Sequence, residues 1–230
     1  MTYNPNKNLL FIHIPKNAGK SIELALGFVN ESELLLRKNR SLFNRSAKYI
    51  LSKTANKNNF LKQHGTVDFS ICSQHLTLQE ITHLGFLSKA QLENCFSFAV
   101  HRNPWARALS TYNHFYPNNL FNKEQFNDFL SNWYDKNHME HNKLAHSRPQ
   151  LDFIRDIYGA INIDFLLCFE RIDVDFKLLT DKLNLTDISL PFIGKGSFGA
   201  DEYRYFYNHK ARDLVAKRFE CDVEYFEYSF

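Results

Sequence analysis

The chain has 230 residues, of which 44% are hydrophobic and 23% charged, values typical of a globular protein with a substantial core. Its formal net charge of +3 is too small for a dedicated nucleic-acid binder, although it suits a protein that handles a multiply anionic small ligand. No apolar run approaches the roughly 18 residues of a membrane-spanning helix, and no signal peptide is recognisable. We therefore expect a soluble, cytoplasmic protein, although a luminal enzyme cut from a membrane-anchored precursor would have the same composition.

The cysteines are predicted to be reduced. None forms a C-x-x-C pair, and each lies in or beside an apolar run, as reduced core residues usually do. They are Cys72, Cys95, Cys168 and Cys221. Free thiols indicate a reducing compartment.

Short apolar runs alternate with amphipathic segments along the chain. The first run, Asn8 to Ile14, predicts a buried strand that stops at Pro15 and is followed by a loop and a helix. Further strands are predicted at 68–72, 95–101 and 163–169, and helices at 31–62, 77–87, 104–115, 123–136, 150–158, 173–183 and 201–219. The alternation predicts an α/β fold in a single domain of residues 1–230, with a central, mainly parallel sheet flanked by helices.

The loop after the first strand carries the first chemical motif, Pro15-Lys16-Asn17-Ala18-Gly19-Lys20-Ser21. Small residues let backbone N–H groups approach phosphate oxygens, while lysine and serine add charge and a hydroxyl donor. The end of this loop also suggests the Walker A motif of a P-loop kinase or NTPase. That motif needs a glycine where this chain has Ile14, and no strand ends in an apolar-apolar-Asp signature, so we rank the alternative second.

A second motif follows the strand that ends at His101. It contains Arg102-Asn103-Pro104, then Arg107, Ser110 and Tyr112 on the predicted helix. Arg102 at the end of the strand and Ser110 on the helix can converge on one phosphate, the arginine as a charged fork and the serine as a hydroxyl donor.

Together these motifs resemble those of sulfotransferases that use 3′-phosphoadenosine 5′-phosphosulfate (PAPS), particularly the branch containing bacterial enzymes and the glycosaminoglycan 2-O-sulfotransferases. Loop 15–21 resembles the family's 5′-phosphosulfate loop, and residues 96–112 resemble its 3′-phosphate motif. Lys20 stands where threonine is commoner, and His101 stands where an apolar residue is usual. The ending Asp222 to Phe230 and the pair Phe169-Glu170 also resemble the family. The resemblance implies a P-loop-like core that binds PAPS.

The resemblance also implies the reaction and its residues. A sulfuryl group would pass from PAPS to a hydroxyl of an acceptor, a carbohydrate by analogy with the branch, leaving 3′-phosphoadenosine 5′-phosphate (PAP). Lys16 would stabilise the leaving phosphate oxygen, and His75, which follows the second predicted strand, would be the general base. The implied donor-binding residues are Lys16, Asn17, Ala18, Gly19, Lys20, Ser21, Arg102, Ser110, Lys195, Gly196 and Ser197.

No metal is expected, because a sulfuryl group carries less charge than a phosphoryl group. The run His138-Met-Glu-His141 lacks the H-E-x-x-H pattern, and we interpret this region, with Trp133 and Tyr134, as a loop that faces the acceptor. A nucleotide-binding module without activity is a further alternative, against which Lys16 and His75 argue. The identity of the acceptor and the oligomeric state are left open.

Overall fold

The computed structural model describes residues 2–31, 75–83, 85–117, 122–133, 145–193 and 202–230. These residues form a sheet with the strand order β1-β2-β3-β4. The strands are β1 (Thr2–Asn4), β2 (Leu9–Ile12), β3 (Phe96–His101) and β4 (Phe165–Cys168). β1 runs antiparallel to β2, whereas β2, β3 and β4 are parallel. The predicted α/β fold with a mainly parallel sheet is confirmed.

Helices flank this sheet, and several begin where local signals predicted. They are α1 (Gly19–Ala25), α2 (Leu78–His83), α3 (Lys89–Asn94), α4 (Pro104–Phe115), α5 (Lys123–Trp133), α6 (Leu151–Ile154), α7 (Ile172–Lys182), α8 (Tyr203–Phe206), α9 (His209–Arg218) and α10 (Glu220–Tyr225). The spacing of Thr77 and Glu80 in the sequence predicts a capping box at the start of α2, and it is present: the Thr77 N–H donates to Glu80 Oε2 at 2.9 Å and the Glu80 N–H donates to Thr77 Oγ1 at 3.0 Å.

The alternation of side chains along β2 builds one core on each face of the sheet. Leu10 and Ile12 pack in a cluster that includes residues of α2 and α6, and Leu9 and Phe11 pack in a second cluster with residues of α1 and α7. A third cluster joins α4, α5, α8 and α9. Because helices cover both faces of the parallel strands, a ligand can bind only at an edge of the sheet. In folds of this kind the ligand binds beyond the carboxyl ends of the strands.

The predicted helix at 150–158 is wrong after Ile154. Asp156 Oδ1 accepts hydrogen bonds from the N–H groups of Tyr158 and Ala160, at 2.9 and 3.0 Å, and Gly159 adopts a φ of 81°. The side chain of Asp156 therefore organises a turn that competes with the helix. The short edge strand β1 and the helices α3 and α10 were not predicted.

Other expectations have mixed outcomes. The predicted strand at 68–72, nearly all of the predicted helical region 31–62, and Cys72 lie outside the described residues. Cys95, Cys168 and Cys221 are free thiols, as predicted, and Cys95 is buried. No helix in the described part of the chain is long and apolar enough to cross a membrane.

Candidate functional site

The loop between β2 and α1 bends sharply at residues other than glycine. Lys16 and Ala18 have φ values of 72° and 59°, in the left-handed region where a residue with a Cβ costs about 1–3 kcal/mol. A left-handed residue next to a right-handed one turns successive backbone N–H groups towards one side, which forms a concavity suited to an anion, and left-handed Ala18 directly precedes helical Gly19. Ala18, the residue directly before α1, has no side-chain group that could cap its first turn. The backbone of the loop is therefore shaped and uncapped as an anion-binding loop requires.

Gly19 allows the loop to lie directly against His13, at the end of β2. A Cβ added at Gly19 would lie 1.8 Å from His13 Nε2, so no larger residue fits. The His13 ring is buried, and its Nδ1 lies 2.8 Å from Oε1 of the fully buried Glu23 on α1. We did not predict this pair. The signal was present, because a histidine at the end of an apolar strand and a glutamate between Ile22 and Leu26 both interrupt core patterns.

This packing gives a testable prediction for stability. Gly19→Ala should lower the free energy of unfolding by about 1–3 kcal/mol or more, because the new methyl group overlaps the His13 ring. In a His13→Ala background the same change should cost much less, since the overlapping ring is gone. Urea unfolding of the four proteins of this double-mutant cycle measures the difference.

Gly159→Ala is the matched control. Gly159, unlike Gly19, has a positive φ, and nothing lies within 4 Å of an added Cβ, so the cost of Gly159→Ala should come from backbone strain alone and be equal in both backgrounds. An equal cost of Gly19→Ala in both backgrounds would show that contact with His13 does not explain the glycine.

Arg102 brings the second motif to this loop. Its Nη1 donates to the Lys16 carbonyl oxygen at 2.9 Å, across 86 positions of sequence, and its guanidinium lies 3.9 Å from the centroid of the Phe169 ring. Arg102 Nε is buried and has no hydrogen-bond partner among the described residues. Burial lowers the pKa of Arg102 to about 10. Arg102 is thus fixed at the loop and retains an unused, charged donor.

The helix after Arg102 carries two more residues of the second motif. Arg107 on α4 is buried, and its Nε and Nη1 donate to the carbonyl oxygens of Pro15 and Arg148, at 3.2 and 2.9 Å. Ser110 lies three residues later, on the same face of α4, and is partly exposed. Arg107 therefore ties α4 to loop 15–21, and Ser110 lies about one helical turn from Arg107.

Three cationic side chains, Lys16, Lys20 and Arg102, lie close together at the loop. Burial, followed by the nearby positive charges of Lys20 and Arg102, lowers the pKa of Lys16 to about 8. Lys20 itself is exposed. A buried lysine beside two other cations is an unfavourable arrangement until an anion joins it, because the anion would restore the interactions that burial removed.

Asn17 and Ser21 have side chains that hold the loop in place. Asn17 is fully buried, and its Nδ2 donates to the Val100 carbonyl oxygen at 2.6 Å and to Gln150 Oε1 at 2.7 Å, so both amide protons are used to hold the loop. Ser21 Oγ accepts a hydrogen bond from the Ile193 N–H at 3.3 Å, which leaves the hydroxyl proton available. Lys195, Gly196 and Ser197 lie outside the described residues, but the chain passes Ser21 at Ile193, two residues before Lys195.

His75 is joined to the end of β2. Its Nδ1 lies 2.9 Å from the His13 carbonyl oxygen. A carbonyl oxygen can only accept, so Nδ1 carries the proton, and Nε2 of the neutral ring keeps its lone pair. Burial, followed by the neighbouring His13 and His146, lowers the pKa of His75 well below the usual histidine value. His75 is therefore neutral near pH 7 and can accept a proton at Nε2.

Other histidines surround His75, which was not predicted. The centroid of its ring lies 4.6 Å from that of His13 and 5.5 Å from that of His146, and His146 stacks on His114 at 5.0 Å. His146 is buried, although the polar, histidine-rich composition of residues 137–149 predicts a loop. Within the described residues, no group of three or more potential ligands could hold a metal. Tyr134, His138 and His141 lie outside them.

His101 departs from the family motif for a reason of packing. Its ring stacks on Phe226 with a centroid distance of 4.2 Å, and its Nδ1 lies 2.7 Å from the Tyr228 hydroxyl oxygen. The same hydroxyl donates to Glu170 Oε2 at 3.0 Å, while Glu170 Oε1 accepts from the Asn103 N–H at 2.8 Å. These bonds connect the C-terminal segment to the end of β3 directly before Arg102.

Comparisons with known proteins agree with this geometry. A family model described as "Sulfotransferase family" matches residues 1–229, which is nearly the whole chain and includes both motifs that meet at Lys16 and Arg102. Comparisons with curated proteins and with solved structures found no significant match. The match over nearly the full length shows that the chain belongs to the sulfotransferase family.

Proposed function

We propose that this sulfotransferase uses PAPS as its donor and sulfates a hydroxyl group of a carbohydrate without a metal ion. The observation that carries the proposal is the hydrogen bond from Arg102 Nη1 to the Lys16 carbonyl oxygen, 2.9 Å long. It brings the loop suited to a 5′-phosphosulfate and the arginine suited to a 3′-phosphate side by side. Those two groups are the features that distinguish PAPS from other adenine nucleotides.

The residues present fit such a donor. The buried and unpartnered Nε of Arg102 offers a charged hydrogen bond, which a phosphate oxygen can accept. Lys16, Lys20 and Arg102 place positive charge around the loop, where phosphosulfate supplies the matching negative charge. PAPS itself supplies the activated sulfuryl group. Loop 15–21, Arg102 and Ser110 would hold it, and the family resemblance adds Lys195, Gly196 and Ser197, which lie outside the described residues.

The chemical step divides between Lys16 and His75. The bond from sulfur to the bridging phosphate oxygen breaks while a bond from sulfur to the acceptor oxygen forms, in line. Lys16 stabilises the negative charge that develops on the leaving phosphate oxygen. The hydroxyl proton of the acceptor passes to Nε2 of His75, whose orientation is set by the His13 carbonyl oxygen. PAP and the sulfated acceptor are the products.

A carbohydrate acceptor is supported by the surroundings of His75. His114 is exposed and stacks on His146, which in turn approaches His75. Phe115 also packs edge-on against His146, with ring centroids 5.2 Å apart. Rings with polar edges suit a sugar, because they offer an apolar face together with hydrogen-bonding nitrogens.

Calorimetric titration tests the donor. PAP should bind the wild-type protein with micromolar affinity or tighter, and Mg·ATP should bind much more weakly, because ATP has no 3′-phosphate. Arg102→Ala should weaken PAP binding by roughly 100-fold, the typical loss when a buried, charged hydrogen bond is removed. Arg212→Ala is the matched control and should bind PAP as the wild type does, because Arg212 pairs with its neighbour Asp213 on α9.

Equal or tighter binding of Mg·ATP would contradict the proposal and favour the kinase or NTPase alternative. Tight PAP binding without sulfation of any saccharide in an acceptor panel would instead retain the donor and reject the carbohydrate acceptor.

A further inference from the structure

Gln150 is a fully buried residue to which no role has so far been assigned, and it contacts both donor-binding motifs. Its Oε1 accepts hydrogen bonds from Asn17 Nδ2 at 2.7 Å and from the Arg102 N–H at 2.9 Å. Its Nε2 donates to the Arg102 carbonyl oxygen at 2.8 Å. The orientation of the amide is unambiguous, because Oε1 faces two N–H donors and Nε2 faces a carbonyl oxygen.

Gln150 pairs with backbone groups just beyond the end of β3, where β2 no longer pairs with β3. β2 pairs with β3 only as far as Ile12 and Ala99, because β2 then turns into loop 15–21. Beyond that point the same edge of β3 exposes backbone groups of Val100 and Arg102, since alternate residues of a strand face the same neighbour. Asn17 Nδ2 pairs with the Val100 carbonyl oxygen, and Gln150 pairs with both backbone groups of Arg102. Two amide side chains thus continue the ladder.

Gln150 is itself held from the far end of the chain. The buried Asp222 on α10 accepts hydrogen bonds from the N–H groups of Gln150 and Leu151, at 2.7 and 2.9 Å. The side chain of Gln150 therefore starts from a fixed backbone. Because its backbone is fixed, the Gln150 side chain can hold Asn17 and Arg102 at a defined distance from each other. A mobile side chain could form the same hydrogen bonds without fixing that distance.

We propose that Gln150 is a positioning residue that sets the spacing between loop 15–21 and Arg102, so that the two phosphate groups of one donor are bound at the same time. The proposal rests on the proposed function, because it concerns the same donor site. When two groups of one ligand bind together, the second gains from the high effective concentration that the first creates. This gain depends on the spacing of the two sites.

Comparing three nucleotides separates positioning from a general structural role. PAP carries both phosphates, whereas 5′-AMP and 3′-AMP carry one each. Gln150→Met keeps the length and volume of the side chain but removes its hydrogen bonds. It should weaken PAP binding by roughly 10- to 100-fold, while each monophosphate weakens by less than about 3-fold. Gln79→Leu is the matched control, because the exposed side chain of Gln79 donates a hydrogen bond to the Asp156 carbonyl oxygen and contacts neither motif among the described residues, so all three affinities should stay unchanged.

Gln150→Glu gives an intermediate case, since a carboxylate keeps the accepted bonds and loses the donated one. If Gln150→Met does not fold, Gln150→Glu replaces it in the comparison. Nucleotide binding is then measured by the change in melting temperature that each nucleotide produces. An equal loss for all three nucleotides, or no loss, would overturn the positioning role. Failure of the wild-type protein to prefer PAP over Mg·ATP would instead overturn the proposed function, so the two failures are distinguishable.

Discussion

His75→Ala is expected to lower kcat by about 10²- to 10⁴-fold, the usual contribution of a positioned general base, while the dissociation constant for PAP changes less than about 3-fold. The reason is the division of contacts in the site. The Nδ1 of His75 contacts the His13 carbonyl oxygen, and we propose that its Nε2 takes the proton of the acceptor hydroxyl. Sulfate transfer assays and PAP titrations on the same variant measure the two quantities separately.

The pH profile provides an independent check of this role. Because burial lowers the pKa of His75 well below its usual value, the ring stays neutral down to an unusually low pH. The acid limb of kcat/KM should therefore lie below the usual histidine range, and it should disappear in the residual activity of His75→Ala. His83→Ala, which changes an exposed histidine at the end of α2, should leave both the rate and the profile unchanged. A loss of PAP binding in His75→Ala would contradict the assignment of a base.

Lys16→Met should reduce kcat by about 10²- to 10³-fold, because it removes the positive charge that we propose stabilises the leaving phosphate oxygen. It should also abolish the proton uptake that accompanies PAP binding. Since the pKa of Lys16 is lowered to about 8, the side chain loses its proton as the pH rises through 8, and PAP affinity should fall over that interval. An anion raises this pKa again, so PAP binding near pH 8 should take up about half a proton.

Calorimetry in buffers with different ionisation enthalpies measures this proton uptake directly. Lys20→Met should shift the falling limb of PAP affinity to higher pH, because the charge of Lys20 is one of the causes that lower the pKa of Lys16. Lys89→Met is the control, since Lys89 is exposed on α3 and pairs with Glu93. Proton uptake that persists in Lys16→Met would show that another group titrates in the site.

The parts of the site that the sequence predicted depend on local signals. The strand before loop 15–21 and the start of α4 at Pro104 are encoded by apolar runs and by a single proline, and the structure places both where they were predicted. The loop and Arg102 were identified through a family resemblance with long motifs. Each of these features is contained within about ten to twenty consecutive residues.

The features that were not predicted depend on partners far apart in sequence. Gln150 lies 133 positions from Asn17 and 48 positions from Arg102, and nothing in its neighbours marks it. The buried pair of His13 and Glu23 was missed because periodicity assigns each of them to an apolar face without indicating that they meet. β1 was missed because its sequence is polar and lacks the apolar pattern of a strand. As an edge strand it is held by backbone pairing with β2.

The hydrogen bonds to Asp222 and Tyr228 determine when the site can form during synthesis. The loop near residue 16 emerges from the ribosome early, but the groups that fix its partner Arg102 are made later. Gln150, which bonds Arg102, is itself held by Asp222. The end of β3 is held by Tyr228. Contacts between such distant segments are made late and slowly. A nascent chain that stops short of residue 222 therefore carries the donor loop but lacks its support, and competence to bind nucleotide should arise only as the final helix packs.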